Sequence, residues 1–189
     1  MGWRAAIDDY INFIRVEKSL SRNSVSAYTH DVEMLMEYSD SIGVEPENLT
    51  MKHIQEFLNH VDEIGLNKRT QARILSGIRG FYKYMMIEEV IDKDPTELIE
   101  GPKVGRKLPE VLTIEEIDAI EASFDLSKPE GQRNRTMVET LYSCGLRVSE
   151  LVNIKLTDLF CEQGFIRVIG KGNKERLVPI GEKAIKEIN

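Results

Sequence analysis

Apolar residues recur at three- and four-residue spacing through four successive segments of the first half of the chain, which predicts four amphipathic helices. Trp3, Ile7, Tyr10, Ile11 and Ile14 line the first. Val25, Tyr28, Val32, Leu35 and Met36 line the second, which starts near Ser21 to Ser24 and stops before Gly43. Thr50 is the expected N-cap of a third, carrying Ile54, Phe57, Leu58 and Val61, with Gly65 as its stop. The fourth is expected from about Thr70 to Ile87, with Ile74, Ile78, Phe81, Tyr82 and Met85 inward. A short helical turn follows at Pro95 to Ile99, and then GPKVGRKLP, residues 101–109, loses all apolar periodicity and reads as a linker. Beyond it, Thr113 and Glu116 form a capping box, a second helix spans about Gln132 to Cys144 before Gly145, and a short one covers Val148 to Asn153. The period then changes to two: FIRVIG and ERLVPI alternate as strands around Lys171, Gly172, Asn173 and Lys174, a hairpin signal. A last helix starts near Glu182. The expected fold is mainly α with one β-hairpin.

Composition narrows the class. With 189 residues, 41% hydrophobic, 30% charged and 7% aromatic, the chain matches an ordinary globular protein of one domain or two small ones. No apolar run approaches the roughly 18 residues of a membrane span, so no membrane partner is expected, and the N-terminus carries no secretory pattern, which makes the cytoplasm the expected location. Cys144 and Cys161 have no metal-ligand spacing and are read as reduced and structural; no metal site is expected.

The net charge of −7 argues against nucleic acid until the distribution is considered. From Leu66 to Ile87 the chain carries Lys68, Arg69, Arg73, Arg79 and Lys83 with no Asp or Glu. The bias recurs at Lys103, Arg106 and Lys107, and again at Arg167, Lys171, Lys174 and Arg176. Acidic residues gather elsewhere, notably between Glu88 and Glu100 and between Glu115 and Glu121. Such segregation suits a polyanion-facing surface with an acidic back.

Two segments, CGLRVSEL at 144–151 and IGKGNKERLVPIG at 169–181, resemble the first-arginine box and the lysine-bearing hairpin of the tyrosine recombinase (phage integrase) family, most closely its Xer-type members. SRNSVSAYTHDV, RTQARILSGIRGFYKYM and DPTELIEGPK are similar to that family's N-terminal region and interdomain link, so the resemblance covers essentially the whole chain. It implies a SAM-like, four-helix, DNA-binding core-binding domain at 1–100, a linker at 101–109, and the first part of an α+β catalytic domain at 110–189. It further implies site-specific recombination or integration of double-stranded DNA through a 3′-phosphotyrosine, with no nucleotide or metal cofactor. The full-length parent would act as a homo- or hetero-tetramer on DNA.

The chemistry fits. Attack on a phosphodiester loads negative charge on the non-bridging oxygens, and a guanidinium answers it with a planar fork of donors that never loses its charge. By the resemblance Arg147 is the first of two such arginines, Glu150 orients it, and Lys171 delivers a proton to the leaving 5′ oxygen. Gly170 and Gly172 are read as letting the backbone turn closely against DNA. Lys68, Arg69, Arg73, Arg79, Lys174 and Arg176 are read as phosphate contacts. The family's His-x-x-Arg box and nucleophilic tyrosine are not found after the arginine box, so the chain is expected to be a C-terminally truncated part of a recombinase, inactive alone. Two alternatives stay open: a naturally truncated, non-catalytic DNA-binding regulator of recombination, and a helical protein-interaction module.

Overall fold

The structure, a computed structural model, describes residues 2–105 and 108–188. Arg106 and Lys107, read above as part of the basic linker, lie outside the described residues, as does the side chain of Lys171. The chain divides into two compact units, Met1–Lys107 and Leu108–Asn189.

The first unit packs four helices: α1 (Trp3–Val16), α2 (Arg22–Ile42), α3 (Met51–Glu63) and α4 (Lys68–Ile87). Each boundary has a chemical cause. Ser21 caps α2 by accepting the Ser24 N–H, and Gly43, at φ +67°, ends it in the left-handed region that glycine tolerates. Thr50 caps α3 as expected, but its reciprocal partner is the His53 imidazole, whose Nδ1 accepts the Thr50 N–H at 3.1 Å. Helix α4 starts two residues ahead of the expected Thr70, because Asn67 Oδ1 accepts the Thr70 N–H at 2.9 Å and caps a turn that propensity alone does not mark.

The apolar stripes meet in one core containing Leu35, Ile54, Phe57, Ile74, Ile78 and Phe81, all buried. Trp3 stacks on Phe81 with ring centroids 5.9 Å apart. Gly77 permits the close approach of α2 and α4, since a Cβ there would fall 2.7 Å from Asp31 Cβ. The segment after α4 is held back onto the core by the buried Ile99, whose carbonyl accepts a bond from the Arg79 guanidinium.

The second unit contains α5 (Ile114–Ala122), α6 (Pro129–Cys144), α7 (Val148–Leu151) and α8 (Glu182–Ile188) around an antiparallel sheet of order β1-β2-β3. The Thr113–Glu116 capping box forms in both directions. Helix α6 begins three residues before the expected Gln132, at Pro129, whose fixed φ suits a first helical turn. The expected hairpin is β2 (Phe165–Ile169) and β3 (Glu175–Pro179); β1 (Leu159–Phe160), at two residues, is too short to show a period. Register pairs Ile166 with Val178 and Val168 with Arg176, so these four share the sheet face that covers the core of Cys144, Leu146, Ile180 and Ala184. Helix α8 is tied down by Lys183, whose Nζ lies 2.8 Å from Glu121 and 2.7 Å from Glu139, both buried. The fold class is as expected: mainly helical, four helices followed by an α+β unit with a small antiparallel sheet. No helix of the described residues is long and apolar enough to cross a membrane, and both cysteines are free.

Candidate functional site

Helix α6 stops at Gly145 (φ +57°), and Leu146 N–H turns back to the Leu141 carbonyl while the Leu146 side chain enters the core. That reversal delivers Arg147 to the N-cap of α7. Its backbone N–H donates to Glu150 Oε2 at 2.9 Å, and its Nη1 donates to Glu150 Oε1 at 2.8 Å. The Arg147 side chain is 68% exposed while that of Glu150 is 3% exposed, so an anchored carboxylate holds an outward-facing guanidinium. Among the described residues Arg147 makes no side-chain bond to the end of α6, and its side-chain partner is Glu150.

Arg176 joins from β3. Its Nη1 and Nη2 donate to Glu150 Oε1 and Oε2, each at 2.8 Å, a two-pronged pair across 26 residues of sequence. These bonds, with the Arg147 backbone N–H, hold the Glu150 carboxyl far below its usual range, so it stays ionised. The cluster is two guanidiniums on one carboxylate, a surplus positive charge at the surface. A cleft of about 420 Å³ runs beside it, lined by Ser149, Asn153, Lys155, Asp158 and Arg167. Arg167 there is neutralised by Asp158 at 2.6 Å.

The β2–β3 turn lies against the same cluster. Gly170 N–H donates to the Lys174 carbonyl at 2.8 Å and closes the loop that carries Lys171, while Gly172 (φ +74°) makes the left-handed turn. Gly170 itself has φ −96°, an ordinary value. Its need for glycine is spatial: a Cβ would lie 2.9 Å from Arg176 Nη1 and 3.2 Å from Glu150 Oε1. The backbone at Lys171 therefore sits next to the arginine cluster, and its side chain is outside the described residues. Lys174 is exposed.

In the first unit the five cations of α4 are exposed, yet several are engaged. Lys68 pairs with Asp62 at 2.6 Å, Arg79 with the Ile99 carbonyl, and Arg73 with the fully buried Asp31 at 2.6 Å. Among the described residues Arg69 has no hydrogen bond or ion pair. Burial pushes the Asp31 carboxyl above its usual range while Arg73 opposes the shift. Asp31 escaped the sequence reading, although its spacing from Tyr28 and Leu35 places it on the apolar stripe of α2. Among the described residues no group of three or more His, Cys, Asp or Glu could hold a metal ion.

Residues 7–89 match the family described as phage integrase, N-terminal SAM-like domain, and residues 110–189 match the phage integrase family. The chain belongs to the phage integrase family. It is 41% identical over 181 residues to the tyrosine recombinase XerD of Staphylococcus epidermidis, an alignment covering 95% of this chain and 61% of that protein. The chain therefore spans about three-fifths of the length of this curated relative. In fold it is similar to a lambda integrase tetramer bound to a Holliday junction, with TM-score 0.75 and 18% identity over 98% of this chain and 53% of that one. It is also similar to the XerH site-specific recombinase bound to a palindromic difH substrate, with TM-score 0.71 and 21% identity over 96% of this chain and 55% of that one.

Proposed function

We propose that this chain is the DNA-gripping part of a site-specific tyrosine recombinase or integrase, and that the whole protein cuts and rejoins duplex DNA through a 3′-phosphotyrosine. Residues 1–100 form its core-binding domain, 101–109 the linker, and 110–189 the first part of its catalytic domain. The observation that carries this reading is the exposed Arg147 guanidinium, clamped by a buried, ionised carboxylate at the lip of a Gly170–Lys174 turn. Such a group meets a phosphate with little reorganisation, and it strengthens its bonds as charge builds on the non-bridging oxygens. Lys171, on the turn, has the chemistry to protonate the leaving 5′ oxygen. In the first unit Arg69 and the outward donors of Arg73 and Arg79 supply backbone contacts, and Lys174 adds one from the hairpin. The whole protein acts in the cytoplasm and assembles as a tetramer on DNA, the assembly that lambda integrase forms on a Holliday junction.

An open apolar face on the second unit favours this reading over a self-contained regulator. A cavity of about 570 Å³, lined by Met137, Leu151, Ile154, Leu156 and Leu159, lies open there, with Leu156 87% exposed.

Fluorescence anisotropy with a labelled 30-base-pair duplex, repeated across salt concentrations, tests the reading. Affinity should fall steeply with salt, by a logarithmic slope of about 0.9 per phosphate contacted. Arg147→Ala should weaken binding about tenfold and reduce the slope by about one. An affinity and slope that Arg147→Ala leaves unchanged would remove Arg147 from the phosphate and overturn the proposal.

A further inference from the structure

A carboxylate has about four lone-pair positions, two on each oxygen. Glu150 fills them all: Oε1 accepts from Arg147 Nη1 and Arg176 Nη1, and Oε2 accepts from the Arg147 backbone N–H and Arg176 Nη2. Guanidinium and carboxylate left to themselves favour the two-pronged arrangement, and Arg176 has taken it. Among the described residues Arg147 is left with one side-chain bond, and its remaining side-chain N–H donors have no partner.

We propose that Arg176 is a positioning residue which keeps Arg147 available to phosphate by occupying the half of Glu150 that Arg147 would otherwise claim. The inference rests on the reading of Arg147 as a phosphate ligand. Without Arg176, Glu150 has one empty position on each oxygen, and Arg147, at the N-cap three residues before it, closes into a two-pronged pair with it. Its donors then face the carboxylate, and an incoming phosphate must compete with an internal anion for them. The sequence pattern reads Arg176 as a phosphate contact; in the structure one N–H of each Nη goes to Glu150, which fixes its guanidinium on that carboxylate.

Gly170 supports the same account. Its backbone is in a conformation open to any residue, so the space above it is what the Arg176–Glu150 pair uses. A methyl group there would push on Arg176 Nη1 at 2.9 Å without removing a charge or a donor.

A double-mutant cycle read by duplex-DNA affinity and its salt slope tests the proposal on the full chain. Arg147→Ala should cost about tenfold in affinity and about one unit of slope, and Arg176→Gln most of that loss. The decisive comparison is Arg176→Gln in the Arg147→Ala background, where it should change neither affinity nor slope, because the residue through which it acts is gone. A further drop with a further unit of slope would show a direct phosphate contact and overturn the proposal. An equal drop in both backgrounds at constant slope would show a merely structural role and overturn it as well. Gly170→Ala, which removes no bonding group, should weaken binding only when Arg147 is present; an equal loss in both backgrounds would again overturn it. Failure of the phosphate reading is separately visible, because Arg147→Ala alone would then have no effect.

Discussion

Arg73 is proposed above as a phosphate contact, and its one ion pair among the described residues makes it a counter-ion to Asp31, a role that Arg73→Gln tests. Both Asp31 oxygens are buried without an aligned hydrogen bond, and the Arg73 Nη1 at 2.6 Å supplies the balancing charge between α2 and α4. Breaking a fully buried ion pair from one side costs about 3–5 kcal/mol. The Arg73 guanidinium is half-exposed and already screened by water, which lowers the expected loss to about 2–3 kcal/mol. For a unit of this size that is a fall in Tm of roughly 10–20 °C. Trp3, the one tryptophan in the sequence, is buried in the first unit, so its fluorescence follows that unit alone. The pH dependence has a definite sign. Burial raises the folded-state pKa of Asp31 above its unfolded value of 3.8, so the folded state holds the proton more tightly and stability drops as pH rises through that interval. Removing Arg73 deletes the opposing influence and extends the interval upward. The deficit of Arg73→Gln should be large at pH 7 and shrink toward pH 4, and adding Asp31→Asn should restore part of it. A melting temperature equal to that of the unsubstituted protein at pH 7, or a deficit that does not shrink on acidification, would refute the counter-ion role.

Two further expectations concern the second unit. Lys183→Met should leave the buried Glu121 and Glu139 without their cation and cost about 1–3 kcal/mol, read as faster hydrogen exchange in α8 and in the face of α6 beneath it. Burial works against the Lys183 ammonium but its carboxylate partners raise its pKa, so this contribution is present at neutral pH and is lost only in strong alkali. Gly131→Ala should cost about 1–3 kcal/mol or more, because its Cβ would fall 2.0 Å from the Asp125 carbonyl oxygen, which as backbone has little room to move. Hydrogen exchange of α6 checks it; protection equal to that of the unsubstituted chain would contradict the clash.

The elements were legible where a local signal exists. The apolar stripes of α1 to α4, the Thr113–Glu116 box and the alternation of β2 and β3 are properties of a few neighbouring residues, and each formed as expected. Boundaries slipped where the deciding group is a lone side chain, as with Asn67 at the start of α4 and Pro129 at the start of α6. The site was legible only in part. The Arg147–Glu150 bond follows from the three-residue spacing of an N-cap and its N3 carboxylate. The bond from Arg176 depends on strand register and on α7 lying beside the sheet, so no window of sequence contains it. The contact of Gly170 with the Arg176–Glu150 pair was hidden for a related reason: a glycine kept for space looks the same in sequence as one kept for a positive φ.

Pairing also explains how a chain of net charge −7 can present a cationic face. In each unit a buried carboxylate lies beneath an arginine, Asp31 under Arg73 and Glu150 under Arg147 and Arg176. Those acids count against the total but sit where solvent does not reach, and their effect is to fix the guanidiniums rather than to repel a polyanion. The distinction between the two sites is one of stoichiometry. Arg73 and Asp31 balance, so that pair is chiefly a structural lock with no surplus charge. Two arginines on Glu150 leave one charge in surplus, and Arg147, which gives Glu150 the single side-chain bond, is the one most open to solvent. If the second unit takes phosphate as proposed, the phosphate would meet a group already aimed and held by bonds it need not break.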